Sequence, residues 1–166
     1  MKNFTRVLLV TAIMFIAGCA AYKPVPAGFT GPVAVIRDSA ENESGSKGRL
    51  FYVAEVDGNR IENARTATKQ ASYGREFSLF TGTTAREVPI RPMQLKLVGS
   101  HVVAAPIHEM ASRAAGTFFD VNGVIEFIPT AGRKYVVRGE LKKDASTVWL
   151  EDDETQEVVT TKISVK

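Results

Sequence analysis

Short runs of β-branched and aromatic residues, each closed by a turn cluster, constrain this chain more than anything else in it. Val33–Arg37 (VAVIR) is the first run, and the polar stretch Asp38–Gly48 (DSAENESGSKG) after it reads as a loop. Leu50–Val56 (LFYVAEV) is the second, closed by Asp57-Gly58-Asn59. Asp-Gly is among the strongest hairpin signals, because glycine accepts a positive φ at no steric cost. Phe77–Phe80 reads as a short strand. Met93–Val98 alternates, Gly99-Ser100 reads as a turn, and His101–Ala105 follows. Phe118–Val121 and Val124–Ile128, parted by Asn122-Gly123, read as another hairpin. Tyr135–Leu141, Thr147–Glu151 and Glu157–Val165 complete the set, with Lys142–Ser146 and Asp152–Gln156 as turns between them.

About eight short strands at spacings of roughly 8–12 residues predict an all-β fold, a β-sandwich rather than a barrel. Helical signals are few. Pro106–Ala115 starts with proline and places Ile107, Met110, Ala111 and Ala114 on one face, so it predicts one short helix packed on a sheet edge. Asn63–Ser72 holds helix formers but no apolar stripe, and reads as a surface turn or loop. Mid-run positions that share one alternating face predict the core: Phe51, Val53, Leu95, Leu97, Phe119, Ile125, Phe127, Val137, Trp149 and Val159.

The first residues carry an address instead of a fold. Met1–Arg6 holds Lys2 and Arg6 and no acid, Val7–Ala17 is apolar apart from Thr11, and Gly18, Cys19 and Ala20 follow. A basic start, a short apolar run and a small-residue exit make residues 1–18 a secretory signal peptide, with the signal helix preceding the domain. The run is too short for a membrane span, which needs about 20 apolar residues. The exit Ile16-Ala17-Gly18-Cys19 resembles the lipobox of bacterial lipoproteins. That resemblance implies lipidation of Cys19, cleavage just before it and acylation of the new amino group. Ala20 after the cysteine then implies an outer-membrane destination facing the periplasm, since inner-membrane retention uses aspartate there. Residues 19–32 would be the lipidated cysteine and a Pro/Gly-rich tether, and 33–166 the β domain.

Cleavage before Cys19 would leave 148 residues with 19 bases and 18 acids, so the full chain's +3 is largely the signal peptide's. No basic run interleaved with aromatics occurs, and nucleic-acid binding is not expected. The expected partners are the membrane, through the lipid anchor, and another envelope protein. Charge is nonetheless uneven. Eight bases face four acids between Arg60 and Arg113, while seven face nine from Ala114 onward. One end of the domain would therefore attract lipopolysaccharide, phospholipid headgroups or an acidic partner.

Chemistry-bearing constellations are sparse, and no catalytic, cofactor-binding or metal-ligating set is expected. Cys19 is the one cysteine, and lipidation would consume it. His101 and His108 are the two imidazoles, and a metal site would need them to converge with Glu109 or another carboxylate. Two partly exposed, hydrogen-bonded histidines are the plainer expectation. Ser100 beside His101 is no Ser–His pair, because neighbours on a strand point to opposite faces. Gly45-Ser46-Lys47-Gly48 lacks P-loop spacing. Glu151-Asp152-Asp153-Glu154 lacks the spacing and glycine of an EF-hand, and reads as a solvated turn.

Val56-Asp57-Gly58, Leu97–His101, Phe127–Tyr135 and Val148–Asp152 together resemble small uncharacterised bacterial lipoproteins that carry a transthyretin- or immunoglobulin-like sandwich. The resemblance implies a non-enzymatic, membrane-anchored envelope protein that binds or braces another component. A small-ligand or lipid carrier with its cavity between the sheets, and an envelope hydrolase, are the alternatives.

Overall fold

A computed structural model describes residues 21–165. Residues 1–18, expected to be a signal peptide, and Cys19 lie outside the described residues. The elements run β1 (Val33–Arg37), β2 (Ser39–Asn42), β3 (Lys47–Val56), β4 (Asn59–Arg60), α1 (Ala64–Ser72), β5 (Ala85–Pro89), β6 (Met93–Val103), α2 (Pro106–Ala114), β7 (Asp120–Phe127), β8 (Lys134–Glu140), β9 (Ser146–Asp152) and β10 (Ile163–Val165). They form two sheets. One has the order β10-β9-β8-β1-β5, and the other β2-β3-β6-β7 with β4 paired to β3. Most neighbours are antiparallel, but β1 runs parallel to β8. The all-β, sandwich-like class read from the sequence is the one observed, with two short helices rather than one.

Between the sheets lies the core. Ile36, Phe51, Val53, Val56, Val88, Leu95, Leu97, Val137, Val148 and Leu150 are each at most 1% exposed. Burying side chains of this size is worth about 1.5–3 kcal/mol each. Phe51 holds the centre. An added Cβ on Gly139, from the facing sheet, would come within 2.5 Å of its ring, and one on Gly99, from the adjacent strand, within 3.0 Å. Gly99 is therefore not a turn. It sits inside the continuous strand β6, opposite Phe51 in the ladder, because the ring fills the space a side chain would take. Asn122-Gly123 is likewise inside one strand, β7, with Gly123 beneath the Ile163 side chain. Asp57-Gly58 is a true hairpin turn, with φ of 51° and 76°.

Other expectations need correction. Phe77–Phe80 is not a strand, while Ser39–Asn42, read as loop, is one. Strand β5 carried no signal strong enough to be read. Asn63–Ser72 is a helix start and helix: the Asn63 side chain accepts from the amides of Arg65 and Thr66, and Ala64 and Thr68 lie one turn apart on the buried side. The buried face is narrow and small, so no apolar stripe announced it. Val159 is 39% exposed, and Phe119 is only partly buried against the core. Trp149 is buried but on the other face of its sheet, because Val148 and Leu150 point into the core. Lys162 lies 4.0 Å above its ring, and its indole N–H donates to Glu151.

Chain crossing between the sheets is handled at one residue. Asp38 separates β1 from β2 and is fully buried. Its carboxylate accepts two hydrogen bonds of 2.7 Å from Arg86 on β5, one of 2.7 Å from the Ala64 amide opening α1, and one of 3.2 Å from the Val53 amide. Val53 lies past the end of the β2–β3 pairing at Ser39 and Phe51, so the carboxylate takes the place of a ladder partner for its amide. Burial pushes the Asp38 carboxyl up from its ordinary value, and Arg86 and the two amides oppose that rise.

Candidate functional site

The run Leu50-Phe51-Tyr52-Val53 is apolar on both faces, which requires cover on both sides of its sheet. Phe51 and Val53 enter the inter-sheet core. Leu50 and Tyr52 emerge on the outer face, where Ala64 of α1 packs on them with Ala40, Ala54, Val98 and Val102 nearby. Helix α1 covers only part of this face. The remainder is a groove of about 510 Å³, floored by Leu50, Tyr52 and Val102 and walled by α1, Leu79 and the start of α2. Its size falls within the range of small-molecule sites, roughly 300–1,000 Å³.

The segment between α1 and β5 closes one side of the groove. Thr68 exchanges hydrogen bonds with Gly82 (3.0 and 3.3 Å), and Ser72 does so with Phe80 (3.0 and 3.2 Å). Leu79 is buried, and its amide donates to the Gly45 carbonyl. These ties present the other large side chains outward: Tyr73 is 88% exposed and Phe77 62%. Helix α2 behaves the same way. Its apolar face was expected to pack on a sheet edge, yet it buries no residue. Ile107 is 62% and Met110 69% exposed, and Ala111 and Ala114 are exposed beside them. The side turned inward carries His108, Glu109 and Ser112. Phe77 and the His108 ring lie 5.6 Å apart, so the loop and the helix that carry these exposed side chains meet beside the groove.

Electrostatics around the groove are lopsided. Arg65 and Lys69 lie on the exposed side of α1, and Arg75 follows it, with its guanidinium 4.5 Å over the Phe80 ring. Among the described residues none of the three has a carboxylate partner within ion-pair distance, whereas Glu109 is paired with Arg113 at 3.0 Å. Burial pushes the Tyr52 phenol up, with Arg65 working against that rise.

The histidines do not meet. His101 is 5% exposed, against the expectation of a half-exposed residue, and it packs on Phe118 and Phe119 at 5.6 Å. Its Nδ1 accepts from the Phe119 amide (2.9 Å), which leaves the proton on Nε2, 3.2 Å from Glu43. Burial, with the nearby charge of Lys47, holds its pKa below the usual 6.5. Ser100 donates to the His101 carbonyl (2.8 Å), not to the ring. Among the described residues no cluster of three metal-ligating side chains occurs. The acidic run is only in part the solvated turn expected: Glu151 and Asp152 end strand β9, and the turn begins at Asp153. Asp152 is buried and accepts from the amides of Glu154 and Thr155, and Asp153 pairs with Arg37 at 2.6 Å. Cys19, the one predicted site residue, lies outside the described residues.

Sequence reading did not single out Tyr52, Arg65, Lys69, Tyr73 or Val102 as a site. The two-faced run at Leu50–Val53 was the available signal, since a strand apolar on both faces needs a second layer. The Pro/Gly-rich segment differs from a free spacer. Pro24 is buried, the Phe29 amide closes a turn on the Pro26 carbonyl, and residues Ala21–Phe29 share a surface cavity with Ile61, Glu62 and Thr84–Glu87.

Comparison with known protein families, curated proteins and solved structures finds no match to this chain. Among the described residues no helix is long and apolar enough to cross a membrane.

Proposed function

We propose that this chain is a non-enzymatic cell-envelope lipoprotein, held by acyl chains on Cys19, whose sandwich is of transthyretin/immunoglobulin-like kind. It binds or braces an envelope component through the groove face of the β2-β3-β6-β7 sheet. The observation that carries the reading is Ile16-Ala17-Gly18-Cys19 at the exit of a short apolar run. Each acyl CH₂ buried in a bilayer contributes about 0.8 kcal/mol, and one chain alone binds marginally, so several chains on one cysteine give stable anchoring. Ala20 favours the outer membrane, with the domain in the periplasm.

A binding role is supported by the exposed apolar rim, because contiguous apolar surface of this kind marks interaction sites. A hydrolase is disfavoured by His101, whose ring nitrogens are both engaged. A carrier with its cavity between the sheets is disfavoured by the side chains that fill that layer, although the outer groove is large enough for a small ligand.

Intact mass of the mature protein tests the anchor. The expected mass corresponds to cleavage before Cys19 plus acyl groups, with the protein in the membrane fraction. An unmodified Cys19, or a Cys19→Ser protein that is processed and still firmly membrane-bound, would overturn the reading.

A further inference from the structure

We infer that the face carrying α1 and α2 lies on the bilayer that holds the anchor, with Tyr73, Phe77, Ile107 and Met110 entering the lipid interface and Arg65, Lys69 and Arg75 meeting anionic headgroups. The inference deepens the proposed function, on which it rests, by naming the lipid leaflet as the component bound.

Chain length gives the first argument. Cys19 precedes Ala21 by two residues, a reach of about 7 Å at full extension. The chain from Ala21 does not then run free, because Pro24 is buried and the segment lies beside Ile61, Glu62 and the start of β5. An acylated Cys19 would thus be tethered within a short reach of the surface that carries Ile61 and Glu62, which lead into α1. From that end, the nine residues of α1 lead to Tyr73, about 14 Å away at 1.5 Å per residue. A bilayer held at that end would therefore lie within about one helix length of Tyr73.

Composition gives the second. Two elements separated in sequence, the 73–80 loop and α2, turn large apolar side chains outward and meet at Phe77 and His108. A helix whose apolar stripe faces water while its polar side faces the protein is inverted for a free domain. Charge gives the third. Arg65, Lys69 and Arg75 border the patch without carboxylate partners among the described residues, and of the acids lining the groove Glu109 is neutralised by Arg113, leaving Glu76. Apolar side chains ringed by bases suit an anionic lipid interface, where each base near the surface contributes about 1 kcal/mol.

The test uses the acylated protein in protein-free vesicles of phosphatidylethanolamine and phosphatidylglycerol. Acylation occupies Cys19, so Met110→Cys supplies the one free thiol for an environment-sensitive fluorophore. The matched control is Val158→Cys, 44% exposed and bridged to Glu151 of β9 in the other sheet. The expected result is a blue-shifted, brightened probe at 110, quenched by lipids brominated near the headgroup, with the probe at 158 unchanged from buffer. Ile107→Asp in the labelled protein should reduce the shift at 110, and replacing phosphatidylglycerol with phosphatidylcholine should weaken it. Protein that floats with the vesicles while the 110 probe stays as in buffer overturns this inference and leaves the lipoprotein reading standing. A probe that responds in native membranes but not in lipid alone overturns it in favour of a protein partner. An unacylated Cys19 overturns both.

Discussion

Asp38 and Arg86 meet through two parallel hydrogen bonds of 2.7 Å, with the carboxylate fully buried and the guanidinium 7% exposed. The pair stands where the chain leaves one sheet for the other, and the same carboxylate holds the first amide of α1. The groove's helical wall is therefore fastened to the crossover of the sandwich by a single side chain.

Removing one partner strands the other in the interior. Asp38→Ala and Arg86→Ala should each destabilise the fold by about 3–5 kcal/mol in urea unfolding. The double variant should cost clearly less than the sum of the singles. Additive losses would show that the two residues act separately.

Packing at Phe51 leaves no room for a methyl group on the facing strand. Gly139→Ala should cost about 1–3 kcal/mol by overpacking, because the new methyl would meet both the Thr147 carbonyl and the Phe51 ring, and Gly99→Ala less, since its nearest contacts are side-chain atoms at 3.0 Å. Phe51→Leu combined with Gly139→Ala should recover part of the loss in thermal melts.

His101 predicts the pH dependence near neutrality. Its folded pKa is depressed, so the unfolded chain, near 6.5, binds the proton first as pH falls. The contribution is fully present above 6.5 and is lost as pH drops through the lower folded value, because protonating Nδ1 breaks the bond from the Phe119 amide. Wild-type stability should fall as pH drops below 6.5, and His101→Gln should flatten that decline. Below about 4 the carboxylates of Asp57, Asp152 and Asp153, all held under their usual range, add their own loss on acidification.

Helix α1 depends on its cap. Asn63→Ala removes the acceptor for the Arg65 and Thr66 amides and should cost about 1 kcal/mol. Amide hydrogen exchange should quicken in residues 64–72 and in the loop tied to Thr68 and Ser72, with the sheets unaffected. Faster exchange throughout the sandwich would show that α1 is not a separable layer.

Local pattern was enough for the β class, for β1, β8 and β9, for most of the core and for the Asp57-Gly58 turn. Each depends on residues adjacent in the chain: alternation sets the buried face, and glycine after aspartate permits positive φ. Gly99 and Asn122-Gly123 misled for a definite reason. A glycine looks the same in sequence whether it turns the chain or makes room for a ring from another strand, and Phe51 and Ile163 lie far away along the chain. The outward stripe of α2 was equally hidden. Its periodicity correctly indicated a helix, but which way the stripe faces depends on where β6 ends and where β7 begins.

By itself, then, the sequence determined the alternating strands, their closing turns and the chemical character of the leading segment, because these follow from neighbours a few bonds apart. Tertiary structure alone decided that Asp38 and Arg86 share a buried site, that His101 is enclosed and neutral, and that a groove with an apolar rim opens beside α1. Those outcomes come from contacts between residues tens of positions apart, and only the folded arrangement of the sheets brings them within reach.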